Sequence, residues 1–216
     1  MSASQRAAGP EPHSAFDPSA GQLCLDFVNT LADRPVGEQE GLEEPADLLA
    51  WARDAGLVES ERARRLASRL EGEPRKASEL LRRSIDLRES LYRLLRAATA
   101  CEEAPAEDLA RFNRELGRAL REPRLEPVDG AACCWRWGGD GERLEALLRP
   151  VVRSAASLLT SPELSRLREC GGRRCSWLFI DRSRGGRRRW CDMKVCGNRE
   201  KARRHYERTR AARRQD

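Results

Sequence analysis

Aromatic residues, histidines and long apolar runs are all scarce in this sequence. Phe, Trp and Tyr make up 5% of its 216 residues, and His13 and His205 are the two histidines. No apolar run approaches the roughly eighteen residues that a membrane-spanning helix needs. Residues 1–20 show no charged region followed by an apolar one, as a secretory signal would. We therefore expect no membrane contact, a cytoplasmic location and, because no Ser/His/Asp set can be built, no enzyme.

Positive charge is concentrated at the C-terminal end of the chain. The whole sequence has 41 Lys and Arg against 35 Asp and Glu, a net charge of +6. Residues 170–216 contain sixteen Lys and Arg against five Asp and Glu, a net of +11, which leaves residues 1–169 at −5. Clustered cations favour a polyanionic partner through counterion release. The alternative interpretation is that these cations lie on a solvent-exposed charged helix without a polyanionic partner, in a chain that is rich in arginine throughout.

The C-terminal segment also holds four cysteines in two equally spaced pairs. The pairs are Cys170-x4-Cys175 and Cys191-x4-Cys196. Short spacings of this kind let two thiolates reach one ion, so they predict one tetrahedral Zn²⁺ per chain, closed by four sulfurs and therefore structural. A metal suits a segment too short to bury a sufficient core of its own. Disulfides and an iron–sulfur cluster are the alternatives, the first disfavoured by the missing export signal and the second by the spacing.

The predicted fold is mainly α, in three parts. Residues 1–20 are rich in Ser, Ala, Pro and Gly and are expected to be disordered. Residues 21–168 read as a helical domain with one β-hairpin around Asp129-Gly130, and with Gly56 ending its second helix. Residues 169–216 read as a treble-clef-like zinc finger, in which a strand ending at Ile180 returns through residues 187–190 before a final helix from Gly197 to about Ala212.

Two stretches of sequence resemble known families. Residues 190–199, WCDMKVCGNR, preceded by CSWLFIDRS at 175–183, resemble the signature of the CGNR zinc-finger family of bacterial proteins. Residues 25–30, LDFVNT, resemble the start of the ABATE domain, which usually precedes that finger and is described as a stress-induced transcription regulator. The resemblance implies zinc held by the four cysteines and a role in transcription regulation.

Helical spacing selects the side chains of the final helix that are expected to contact nucleic acid, and the arginine run at 187–189, in the expected hairpin, is expected to bind phosphate. Arginine suits such contacts because its planar fork matches phosphate and the guanine edge. Asn198 is interpreted mainly as a helix cap, with adenine recognition as the alternative. The predicted contact residues are Arg187, Arg188, Arg189, Asn198, Arg199, Lys201, Arg203, Arg204 and Arg208. DNA is the expected partner, which implies a nucleoid-associated protein and a possible homodimer. RNA binding and a protein-docking finger remain alternatives.

Three polar residues, Asp26, Asn29 and Thr30, lie in an apolar segment that ought to be buried. Buried polar groups need partners. They are interpreted either as ties to neighbouring backbone or as the lining of a small-molecule effector site.

A different candidate for the DNA-binding element is the pair of helices flanking Gly56, whose sequence resembles a helix-turn-helix. Their acidic surroundings favour a plain helical hairpin.

Overall fold

The computed structural model describes residues 19–36, 39–121, 123–128, 130, 132–137 and 143–212 of the chain. Residues 1–18, within the segment predicted to be disordered, lie outside the described residues. The described part is mainly helical, which confirms the predicted fold class. None of its helices is both long and apolar enough to cross a membrane.

Seven α-helices form the described framework: α1 Leu23–Val28, α2 Pro45–Asp54, α3 Ser60–Gly72, α4 Pro74–Ala100, α5 Ala106–Ala119, α6 Arg149–Leu159 and α7 Asn198–Ala212. Local sequence sets several of their ends. Pro45 and Pro74 occupy first-turn positions, where a missing N–H costs nothing. Gly56, at φ +71°, ends α2 as predicted, because the amide of Leu57 bonds to the carbonyl of Ala52 in a Schellman arrangement.

Three antiparallel two-stranded ladders complete the described fold: β1 Leu31–Ala32 with β2 Gln39–Glu40, β3 Pro123–Pro127 with β4 Cys133–Trp137, and β5 Leu167–Glu169 with β6 Leu178–Ile180. The β3–β4 pair is the hairpin predicted in the helical domain, with Leu125 opposite Trp135. Short 3₁₀ helices at Leu144–Leu148 and Pro162–Arg166 precede α6 and β5. Pro150 therefore lies in the first turn of α6 and does not kink a longer helix.

One prediction about the finger is wrong. Residues 187–190 were expected to return as a strand beside residues 177–180. Instead β6 pairs with β5, with Leu167 opposite Ile180, and residues 187–190 form no strand. The apolar side chains decide this pairing. Leu167, Leu178 and Ile180 are all buried, whereas Arg187 and Arg189 are exposed.

The finger shares its core with the helical domain. Leu167, Leu178 and Ile180 belong to the same buried cluster as Leu25 and Phe27 of α1. This cluster centres on α4 and includes an edge-to-face contact between the rings of Phe27 and Trp51, whose centroids lie 5.1 Å apart at an interplanar angle of 60°. The predicted boundary between residues 168 and 169 falls inside β5. The two parts therefore pack as one body around a continuous core.

Candidate metal centre and nucleic-acid interface

The four cysteines of the two pairs converge on one point. Their sulfur atoms all lie within 4.8 Å of one another, and all four residues are buried. The sulfurs of Cys175 and Cys191 are 3.7 Å apart, as are those of Cys191 and Cys196. Four Zn–S bonds of about 2.3 Å at tetrahedral angles place the sulfurs about 3.8 Å apart. The observed spacing therefore fits a zinc ion bound by four thiolates.

Each half of the metal centre is built by a short segment of chain. Cys170 and Cys175 flank the turn between β5 and β6, which the amide of Cys170 closes by donating to the carbonyl of Trp177 at 2.8 Å. Gly172 lies inside this turn. A Cβ atom there would lie 3.3 Å from Cβ of Cys175 and 3.5–3.6 Å from the sulfurs of Cys196 and Cys170. Glycine thus leaves room for the sulfurs at the point where the two halves meet.

Whether the four thiols are ionised depends on a cation at their centre. The neighbouring sulfur of Cys170 raises the pKa of the Cys175 and Cys191 thiols well above the ordinary value, and burial adds to the effect. Four thiolates this close repel one another unless a metal ion offsets their charge. The amide of Cys191 also donates to the sulfur of Cys170 at 3.4 Å, which supports a negatively charged sulfur.

The second cysteine pair leads directly into α7 through a single π-turn, Met193–Gly197. Asp192 caps this turn, because its Oδ1 accepts hydrogen bonds from the amides of Lys194 and Val195. Asn198 was interpreted as the cap, but it lies one turn later, with helical backbone angles and an exposed side chain. The cap of the final helix is therefore Asp192, an assignment that the sequence Asp-x-x-Val before a helix could have suggested.

The loop that carries the arginine run, residues 181–190, is fixed at its base by Asp181. This buried carboxylate accepts hydrogen bonds of 2.9 Å from the amides of Ser183 and Arg188. A hydrogen bond from the Ser183 side chain lowers the pKa of Asp181, which stays ionised. The guanidinium of Arg188 packs 4.7 Å from the ring centroid of Phe179 and donates to the carbonyls of Trp190 and Cys191. Arg188 therefore stabilises the loop through contacts within the protein.

The other predicted contact residues fall into two groups. Exposed side chains comprise Arg187, Arg189, Asn198, Lys201 and Arg208, and the guanidinium of Arg189 lies 5.1 Å from the ring centroid of Trp190. The second group has acidic partners. Arg203 and Arg204 both bond to Glu200, and Arg199 lies 3.8 Å from Asp33. Trp177 is 1% exposed and belongs to the small apolar cluster around the cysteines.

Asp33 is a residue that the sequence analysis missed. It follows β1 with a left-handed φ of 52° and is 5% exposed. Its carboxylate faces two arginines of the finger, Arg174 at 3.5 Å and Arg199 at 3.8 Å. Asp33, in the acidic N-terminal part of the chain, thus contacts the face of α7 that carries Arg199. The opposite face, which carries Lys201 and Arg208, is left to solvent.

The three polar residues near α1 are bonded within the protein. The side-chain amide of Asn29 donates to the carbonyl of Leu178 at 2.9 Å and accepts from its amide at 3.0 Å. Asp26 accepts from the amide of Ala20, and Thr30 donates to the carbonyl of Phe27. These contacts match the interpretation of the three residues as ties to backbone. An effector site formed by them stays a prediction.

A buried arginine, Arg88, completes this region and was also missed. It is 1% exposed, makes hydrogen bonds of 2.5 and 2.6 Å to the two carboxylate oxygens of Glu40, and contacts Glu89 and Thr30. Burial raises the pKa of Glu40, but the bonds from Arg88 outweigh burial and hold it below its ordinary value. Arg88 shares a helical stripe with Leu91 and Leu95, a signal that it faces the core.

Fold and site together define a two-part protein, a helical domain joined through its core to a four-cysteine finger. Comparison with protein families agrees. The family model of the ABATE domain, described as "Putative stress-induced transcription regulator", matches residues 21–162, and that of the CGNR zinc finger matches residues 166–209. The chain therefore belongs to the ABATE family and carries a CGNR zinc finger. No curated protein matches the sequence.

Proposed function

We propose that the protein is a DNA-binding transcription regulator whose finger, folded around one zinc ion per chain, contacts the phosphate backbone of duplex DNA in the bacterial nucleoid. The proposal assigns the chain no catalytic role. The observation that carries it is the distribution of unpaired cations around the metal centre. Among described residues, Arg184, Arg187, Lys194, Lys201 and Arg208 are all exposed and make no ion pair with other described side chains.

These cations come from two rigid elements. Asp181 and the side chain of Arg188 hold the loop that presents Arg184 and Arg187. Metal coordination and the Asp192 cap fix the start of α7, which presents Lys201 and Arg208 two turns apart on one stripe. Side chains held on rigid elements lose less entropy on binding. The proposed contact surface is therefore the tip of the loop together with the Lys201 face of α7. Arg199 lies on the opposite face of α7, next to Asp33.

The test is a fluorescence anisotropy titration of labelled duplex DNA with the zinc-loaded full-length chain. The log of the binding constant should fall with the log of salt concentration, with a slope of about 0.9 for each phosphate neutralised. The double variant Arg187→Gln/Lys201→Gln should weaken binding to all sequences and flatten the slope by about two phosphate contacts. Both side chains are exposed, so folding and zinc content should stay unchanged.

The matched control is Arg64→Gln/Arg75→Gln, which removes the same charge from exposed positions of α3 and α4. Its affinity for DNA should equal that of the wild type. Equal losses in both double variants would show that only net charge matters and would refute the proposed surface. A parallel titration with single-stranded RNA distinguishes the RNA-binding alternative, which predicts tighter binding to RNA than to duplex DNA at the same salt concentration.

A further inference from the structure

A second cationic site lies in the helical domain, well separated in sequence from the finger. A cavity of about 550 Å³ opens where α3, the first half of α4, the end of α5 and the start of α6 meet. Seven of its ten lining residues are Arg or Lys, and two are Glu. Residues 1–169 carry a net charge of −5. The described lining of this cleft is therefore strongly cationic, although the composition of the surrounding domain is acidic.

Acidic neighbours arrange several of these cations without neutralising them. The buried carboxylate of Glu115 pairs with Arg83 at 2.9 Å and with Arg118 at 2.5 Å. Glu73 pairs with Arg69 at 2.9 Å and with Lys76 at 2.5 Å. Two carboxylates thus pair with four of the seven cations. In addition, the Nε atom of Arg83 is buried and has no hydrogen-bond acceptor among the described residues.

Helix dipoles explain only part of this arrangement. Arg69 and Arg118 lie in the last turns of α3 and α5, where a cation is favourable. Lys76 lies in the first turn of α4 and Arg149 is the first residue of α6, where the dipole disfavours a cation. Glu73 offsets the charge of Lys76, whereas no described carboxylate pairs with Arg149, so an anion in the cleft would compensate the remaining cations and the N-terminus of α4.

We propose that this cleft binds a small phosphorylated molecule that carries at least two phosphate groups. The excess of positive charge calls for a multivalent anion, and the arginine fork matches phosphate oxygens. The volume lies within the range of about 300–1,000 Å³ typical of small-ligand sites. Arg83 has only 18% of its side chain exposed, so the inner part of the cleft is out of reach for the backbone of duplex DNA.

The site has a direct structural connection to the finger. Helix α4 carries Lys76 and Arg83 at the cleft and Tyr92 and Arg96 further toward its C-terminal end. The side chains of Tyr92 and Arg96 lie 3.3 and 3.7 Å from Glu169, the residue before Cys170. An effect of the bound phosphate on DNA affinity would rest on the proposed function. Binding to the cleft does not rest on it.

Calorimetric titration of the zinc-loaded full-length chain with inorganic tripolyphosphate, in the absence of DNA, tests the proposal. The wild type should bind one equivalent. The variant Arg121→Gln/Arg149→Gln should weaken binding at least about tenfold, a change of about 1.4 kcal/mol. Neither residue makes an ion pair with a described side chain, so the variant should melt at the wild-type temperature. The single variant Arg121→Gln provides a second, milder test with a smaller loss.

The control Arg75→Gln/Arg114→Gln removes two exposed charges from α4 and α5, two of the helices that form the cleft, at positions outside it, and should bind within about twofold of the wild type, well under the tenfold change that marks a direct contact. Citrate should bind more weakly than tripolyphosphate. An equal loss in the control, absence of tripolyphosphate binding at millimolar concentration, or displacement of tripolyphosphate by duplex DNA would each overturn the proposal. Tripolyphosphate binding without any DNA binding would contradict the proposed function alone.

Discussion

Replacing Asn29 with alanine tests whether the finger and the helical domain are one folding unit. The Asn29 amide is 2% exposed and makes two hydrogen bonds to the backbone of Leu178, of 2.9 and 3.0 Å. Leu178 lies 149 residues further along the chain, in the strand that follows the first cysteine pair. Alanine removes both bonds and leaves a buried N–H and a buried carbonyl without partners.

Each of the two groups costs about 1–3 kcal/mol when it is left unsatisfied, so we expect Asn29→Ala to lower the free energy of unfolding by about 2–6 kcal/mol. That is a large share of the roughly 5–15 kcal/mol by which most domains are stable. Urea unfolding followed by circular dichroism measures the change. Because β6 adjoins Cys175, the same variant should also release zinc faster to a chromogenic chelator.

Asn113→Ala is the matched control, since Asn113 is exposed on α5. It should change the free energy of unfolding by less than about 0.5 kcal/mol, as surface substitutions usually do. If Asn29→Ala were as mild as this control, or if the helical signal and the zinc were lost in two separate transitions, the shared core would not couple the two parts and the reasoning would fail.

Further predictions concern the metal, the buried arginine and pH. Cys175→Ser should lose the bound zinc in elemental analysis and melt at a lower temperature, because an open thiolate shell gives up binding free energy that supports the fold. Arg88→Met should cost about 3–5 kcal/mol in urea unfolding, since it leaves the partly buried carboxylate of Glu40 without its arginine partner and leaves Glu89 with Arg34 alone. Both carboxyl groups have pKa values held below the ordinary one despite burial, through Arg88 for Glu40 and Arg34 for Glu89. Their contribution to stability is therefore full above about pH 4.5 and lost as pH falls further, so acid unfolding of the wild type should be steeper below that pH than that of Arg88→Met.

The metal centre could be predicted because its information is local. Each cysteine pair lies within six residues, and tetrahedral coordination leaves few ways to combine two such pairs. The helices α2 and α4 could also be predicted from the sequence, because Pro45 and Pro74 mark their starts and Gly56 marks the end of α2. In these cases short segments determine their own conformation, and tertiary packing agrees with it.

Other features depend on partners distant in sequence. Nothing near Asn29 indicates that its amide pairs with Leu178, and nothing near Asp33 indicates Arg174 and Arg199. The strand partner of β6 was also misassigned, because residues 187–190 follow β6 after a short glycine-containing turn, as in a hairpin, whereas the actual pairing buries Leu167 against Ile180. The cationic cleft has the same origin, since its residues span positions 69 to 149 and come together only in the packed helices.

The most direct test of the proposed function is genome-wide crosslinking of the tagged protein, with Arg187→Gln/Lys201→Gln as the comparison. The account predicts that the wild type is enriched at discrete DNA sites and that the double variant, present at the same level and loaded with zinc, loses this enrichment. Wild-type signal no higher than that of an untagged strain, from folded and zinc-loaded protein, would contradict DNA binding. Enrichment that the double variant retains in full would place the contact surface elsewhere.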